Sequence, residues 1–244
     1  MPRGQSENQP TWRVGLLPAF RCVRDERTVP LPAAPSALIV AVAIAEPGVA
    51  RRALQARLWP DLPPEAAARR LRQLLWRARR ATGTGLFEVT PDAVRLAADV
   101  AVDLREGTAL ARRVLSGERP PPASCALLGR SLLREGPDCG TVQAERDRWD
   151  RLRIVALERL AEHRLGAGDA LGALELAGRA AEVDELAEAP HRIMALAHLA
   201  RNDDASACRL YVDYRRRVAR ELHIQPSGAF RDLLYPSGIG RSGG

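Results

Sequence analysis

The chain has 244 residues, 46% of them apolar and 27% charged. That balance belongs to a globular protein and excludes a disordered tail, a collagen-like repeat and a disulfide-knotted miniprotein. The net charge is +7, and residues 51–80 alone match it, with nine arginines against Asp61 and Glu65. A basic patch so focused points to a polyanionic partner, nucleic acid before anionic membrane. All 37 basic residues are arginine, and only 4% of residues are aromatic, so the core must be built from Leu, Val and Ala. Cys22, Cys125, Cys139 and Cys208 are widely spaced and read as free thiols. Residues 1–10 lack the apolar stretch of a secretory signal, and the longest apolar run, 37–45, is about half of what a bilayer crossing needs. A cytoplasmic protein without a membrane partner is expected.

In chain order, residues 1–11 read as a disordered leader. Strands are expected over 12–22 and 28–31, flanking the polar turn 24–27. Residues 34–45 form a small-residue and β-branched run closed by Glu46-Pro47-Gly48. Periodicity does not separate a buried helix from a buried strand there, but length and the terminating Pro-Gly favour a helix. A short amphipathic helix follows over 51–58, and Trp59-Pro60-Asp61-Leu62-Pro63-Pro64 breaks the chain. Pro64 and Glu65 then open a helix over 65–81 that stops before Gly83.

This helix separates into two faces at 100° per residue. Ala67, Leu71, Leu74, Leu75 and Ala78 make an apolar stripe. Arg69, Arg72, Gln73, Trp76 and Arg80 lie opposite, flanked by Arg70 and Arg77 on one side and Arg79 on the other. Such a helix suits the major groove, where Arg pairs with guanine edges, Gln with adenine, and flanking arginines with phosphates. A solvated basic face is the alternative, against which stands the lack of interleaved acids. Residues 86–90 and 94–102 read as a β-hairpin turning at Pro91-Asp92, with Arg95 beside the tip. Strands, three helices and a hairpin make a winged helix-turn-helix whose wing reaches the neighbouring groove or backbone.

A short helix is expected over 103–115, then a stiff Pro-rich linker over 118–124. The remainder reads as helices over 141–165, 171–183, 189–200 and 205–222. A shift of 34 residues aligns Ala161 with Ala195, Leu165 with Leu199, Asp169 with Asp203, Ala173 with Ala207 and Leu176 with Leu210. That is the tetratricopeptide period, and the long preceding helix and residues 230–235 are expected to cap the stack. The fold class is thus mainly α with a small β component, an N-terminal winged helix-turn-helix followed by an all-α tetratricopeptide-like domain. The expected domains are 12–103 and 125–235, joined by 104–124 and followed by a flexible tail over 236–244.

The order of these pieces resembles the Streptomyces antibiotic regulatory protein family, whose second half is a bacterial transcriptional activator domain. Leu58-Trp59-Pro60-Asp61 and the stretches 68–75 and 77–80 carry the resemblance in the first half. Residues 144–148, 156–163 and 220–227 carry it in the second. It implies an OmpR-like winged helix binding direct repeats in double-stranded DNA near a promoter. It further implies a helical domain that self-associates, giving a homodimer on DNA, and contacts RNA polymerase, with biosynthetic gene clusters as targets and activation as the output. Carried over by position, the DNA face is Arg69, Arg70, Arg72, Gln73, Trp76, Arg77 and Arg80. The chain departs from the family at Pro32-Ala33-Ala34-Pro35-Ser36, at Gly136-Pro137-Asp138-Cys139-Gly140, and at His223, where the family prefers glycine.

No catalytic signature competes. Gly83-Thr84-Gly85 lacks the Gly-Lys of a phosphate loop, and no nucleophile-elbow sequence occurs. Only His191 and His198 share a predicted helix, without a carboxylate-rich partner face. No metal, cofactor or enzymatic activity is expected. Tyr211 and Tyr214 beside Arg215-Arg216-Arg217 read either as core with solvated arginines or as a partner-binding face. A protein-interaction adaptor whose winged helix no longer reads DNA is the second reading of the whole chain.

Overall fold

The computed structural model describes residues 11–45, 47–134 and 140–235. Residues 1–10 of the expected leader, most of the divergent 136–140 stretch and the tail from 236 lie outside them. The chain forms two units, Met1–Ala109 with Arg130–Trp149, and Leu110–Gly129 with Asp150–Gly244. It is mainly helical with a small β component, and among the described residues the strands all fall in the N-terminal part.

In the first unit, β1 (Trp12–Gly15), β2 (Arg21–Arg24) and β3 (Arg27–Thr28) pair antiparallel. The β2–β3 turn holds Asp25 at φ 48° and Glu26 at φ 64°, the doubly left-handed geometry that suits a two-residue hairpin. The single strand expected over 12–22 is therefore two. Between them the N–H groups of Leu16 and Leu17 donate to the buried carboxylate of Asp103, at 2.8 and 3.0 Å. The carbonyls of Leu16 and Pro18 accept from the N–H groups of Leu133 and Arg134, at 2.9 and 2.8 Å. A reversal whose backbone groups are met by such distant partners satisfies the demands of burial, but nothing local announces it. The strand expected over 28–31 shrinks to β3, because Pro30 and Pro32 have no N–H to give a ladder.

Helix α1 (Ala33–Ile44) buries Leu38, Ile39, Val40, Ala41, Val42 and Ala43. A helix apolar all round is a core helix, which explains its lack of a readable stripe. After β4 (Val49–Ala50) come α2 (Arg51–Leu58) and α3 (Pro64–Thr82). Strands β5 (Phe87–Val89) and β6 (Ala93–Leu96) form the hairpin, and β4 joins it as β4-β6-β5. The strand expected over 94–102 breaks at a turn where Val100 N–H donates to Ala97 O at 3.1 Å. Its remainder, β7 (Ala101–Val102), pairs parallel to β1 and completes the order β3-β2-β1-β7. Asp103 then opens α4 (Asp103–Leu115).

The long helix α5 (Gly140–Gly166) supplies Trp149 to the first unit. Its ring is 1% exposed, its Nε1–H donates to Arg130 O at 2.9 Å, and it packs on Gly107 so closely that an added Cβ there would lie 2.8 Å from ring carbon Cη2.

In the second unit the Pro-rich stretch runs into a 3₁₀ turn over Pro122–Leu127. Helices α6 (Ala170–Val183), α7 (Glu188–Ala200), α8 (Asp204–Glu221) and α9 (Gly228–Leu234) follow. The 34-residue period holds in detail. Ala161, Ala195, Ala173 and Ala207 are all fully buried. Asp169 caps α6 by accepting from Gly172 N–H at 2.9 Å, and Asp203 caps α8 by accepting from Ser206 N–H at 3.1 Å. The residues just before these caps, Gly168 and Asn202, both have left-handed backbones, φ 82° and 57°. Each cap's second oxygen faces a basic side chain five residues earlier, Arg164 at 2.9 Å and His198 at 3.3 Å. Equivalent sequence positions thus perform equivalent local work. Beyond α8, His223 takes φ 57°, the conformation for which glycine is the easier residue.

Tyr211 and Tyr214 both point inward, 5% and 4% exposed, packed with Phe230 of α9, while Arg215 and Arg216 are exposed. The core reading of these tyrosines holds: both are packed inside the unit and are not exposed anchors for a partner. Tyr214 O–H donates to Leu186 O at 3.0 Å, and its ring lies 4.5 Å from that of His191. His191 Nδ1 lies 2.8 Å from Ala187 O. Burial is the main cause that lowers its pKa below the ordinary 6.5; Arg217 acts the same way, while the Ala187 bond, Asp184 and Glu185 oppose. The unfolded chain therefore binds this proton more readily. The stability due to neutral His191 is complete above about pH 6.5 and is lost as pH falls through that value toward the folded pKa. Urea denaturation at pH 7 and pH 5 is expected to show a smaller acid loss for His191→Gln than for the parent chain; an equal or larger loss contradicts this.

Candidate nucleic-acid interface

Helix α3 begins on Pro64, whose missing N–H is harmless in a first turn, with Glu65 facing the positive end of the dipole. It ends at Gly83, φ 79°, where Thr82 Oγ1 donates to Ala78 O at 2.9 Å. Ala67, Leu71, Leu74, Leu75 and Ala78 are buried, joined by Thr82. This is the stripe that the sequence predicts.

The other face is open. Arg69, Arg70, Arg72, Gln73, Trp76, Arg77, Arg79 and Arg80 are all exposed. None of the six arginines of α3 has an ion-pair partner among the described residues. Trp76 is 60% exposed, and the Arg80 guanidinium sits over its ring, 5.4 Å from the centroid. An exposed indole with a cation on its face, one helical turn apart, holds both side chains outward in a defined arrangement. On α2, Arg52 and Arg57 are exposed as well, while Arg51 reaches toward Thr90 O at 3.4 Å.

The hairpin turns at Thr90, Pro91 and Asp92, with Thr90 N–H donating to Ala93 O and Ala93 N–H to Thr90 Oγ1, both at 3.0 Å. Asp92 O in turn accepts from Arg51 N–H at 2.8 Å, which anchors the tip to the start of α2. Arg95 lies on β6, in register with Glu88 of β5, to which its Nε–H donates at 2.7 Å. Its charge is therefore already met, unlike those of α3. Counting register back from the turn puts residues 88 and 95 opposite each other, a signal that was available in the sequence and that reading Arg95 by itself missed.

Among the described residues, no group of three or more His, Cys, Asp and Glu is placed to hold a metal, and no helix is long and apolar enough to cross a membrane.

Residues 70–234 match the family described as bacterial transcriptional activator domain. No curated protein matches the chain in sequence. Among solved structures, it is similar to Mycobacterium tuberculosis EmbR in complex with a low affinity phosphopeptide, at TM-score 0.74 and 18% identity over 93% of this chain. The chain spans 65% of that protein's length. At this identity the likeness concerns the fold.

Proposed function

Because this chain belongs to the bacterial transcriptional activator domain family, we propose that it works by binding duplex DNA through the outer face of α3. It is a transcriptional activator of the Streptomyces antibiotic regulatory protein type, and its mechanism in this reading is binding without catalysis. The observation that carries the reading is the α3 face, on which six arginines stand exposed without counter-charges beside an exposed tryptophan. Arg69, Arg70, Arg72, Gln73, Trp76, Arg77 and Arg80 would meet bases and phosphates. Arg95 would touch the backbone only by sharing or releasing Glu88. Residues 12–103 serve as the DNA-binding domain, 104–124 as connector and 125–235 as the activator domain. That last domain pairs protomers as a homodimer on promoter direct repeats, recruits RNA polymerase and so activates a biosynthetic gene cluster from the cytoplasm.

Selection of bound sequences from a random duplex pool, with the full chain at two salt concentrations, tests this. The expected result is a direct repeat with half-sites about 10–10.5 base pairs apart. Affinity should fall with log salt at a slope of about −0.9 per phosphate neutralised. A flat salt response, or salt-sensitive binding without any enriched sequence, overturns sequence-specific recognition and leaves the adaptor reading.

A further inference from the structure

We propose that the helical unit carries a binding site for a small organic acid with an apolar body. A cavity of about 790 Å3 opens between the end of α4, the chain leading into the 3₁₀ turn, the C-terminal part of α5 and the start of α6. All of its lining residues belong to the second unit. The volume falls within the roughly 300–1,000 Å3 typical of small-molecule sites and is far too confined for a nucleic-acid duplex.

One part of the wall is apolar, made by Val114, Leu160, Leu171 and Leu176. Leu171, in the first turn of α6, is 60% exposed. A single exposed leucine is ordinary on a convex surface, but this one forms part of a concave apolar wall. The charged part is not self-neutralised. Glu118 is taken by Arg113 at 2.7 Å, and Asp169 by Arg164 at 2.9 Å and by the α6 N-terminus. Arg159 reaches out to Glu162 at 3.6 Å. Arg119 and Arg179 have no carboxylate at ion-pair distance among the described residues, and Glu175 is the one lining acid left to oppose them.

Two details define the charged end. Arg179 runs along Gly129, where an added Cβ would stand in ordinary contact, 3.4 Å from its Cδ and 3.5 Å from Nη1. Cys125 is buried on the same wall near Arg164 and Arg179, yet burial raises its thiol pKa above the ordinary value of 9.0 despite those charges. It is a neutral surface there and not a nucleophile. Free guanidinium groups beside an apolar wall favour a ligand with an anionic head and a hydrocarbon body, since each end then meets its match. The inference is independent of the DNA reading.

The test uses the full chain and 8-anilinonaphthalene-1-sulfonate as a fluorescent probe, displaced by octanoate, by 1-octanol or by inorganic phosphate. Octanoate is expected to displace the probe saturably, with octanol and phosphate each at least about tenfold weaker. Arg119→Gln combined with Arg179→Gln changes exposed groups and should leave the melting temperature unchanged while weakening octanoate at least about tenfold. Equal competition by octanol would reduce the cavity to an apolar surface, and equal competition by phosphate to a bare anion site. Either result, absence of displacement by octanoate, or unchanged octanoate affinity in the double variant would overturn the proposal.

Discussion

Arg69→Ala combined with Arg72→Ala is expected to weaken binding to the selected operator by at least about 30-fold, with no loss of folding stability. Both side chains are exposed and unpaired on the face of α3 opposite Leu71, Leu74 and Leu75, so removing them opens no cavity. Alanine is also the best helix former, so the helix itself gains slightly. A well-made arginine contact to a base edge contributes about 1–3 kcal/mol of discrimination. Two such contacts sum to roughly 2–6 kcal/mol, whose lower limit is the 30-fold stated. Fluorescence anisotropy on the operator at fixed salt, with a melting curve of each protein, is the measurement. Unchanged affinity with an intact fold would move DNA contact off α3. Loss of stability together with affinity would mean that these arginines serve the fold, against their exposure.

Trp149→Ala is expected to destabilise the first unit by about 3–5 kcal/mol, the usual cost of truncating a buried aromatic side chain. That is a large share of the roughly 5–15 kcal/mol that holds a domain together. The loss has two sources. The void lies against Gly107, where the ring now fits with no room for a methyl group, and Arg130 O loses the indole donor 2.9 Å away. The tight fit makes a second variant informative. Gly107→Ala should destabilise the parent chain through the clash. Added to Trp149→Ala it should be neutral or favourable, because the methyl then enters the void and helix propensity rises. Chemical denaturation of the four proteins closes a double-mutant cycle. Simple additivity, or a Trp149→Ala cost below about 1 kcal/mol, would show that this contact does not hold the unit.

The parts legible in the sequence are those whose physics is local. The stripe of α3 follows from helical geometry, and its opposite face from the lack of acids among the arginines. The 34-residue shift located both capping aspartates because a helix-pair repeat places the same turn at the same offset. Hidden features depend on residues far apart in the chain. The break after Gly15 needs Asp103 to accept from its N–H groups and Leu133 and Arg134 to donate to its carbonyls. The break at Ala97 splits the stretch into two strands that join different sheets, whereas an uninterrupted apolar alternation over 94–102 reads as one element. Helix α1 has no polar face, so its period carries no information, and only its length and the terminating Pro-Gly mark it as a helix. The cavity joins residues near 117 to residues near 175, and no window of sequence contains it.

The two faces of α3 share no residue. The buried side of the helix is Ala67, Leu71, Leu74, Leu75, Ala78 and Thr82, and the exposed arginines, Gln73 and Trp76 all lie at positions between them. Selection can therefore rewrite the outward set one side chain at a time without passing through an unfolded intermediate. A duplicated copy of such a gene is free to acquire a new target while its sibling keeps the old one, and the scaffold never has to be reinvented.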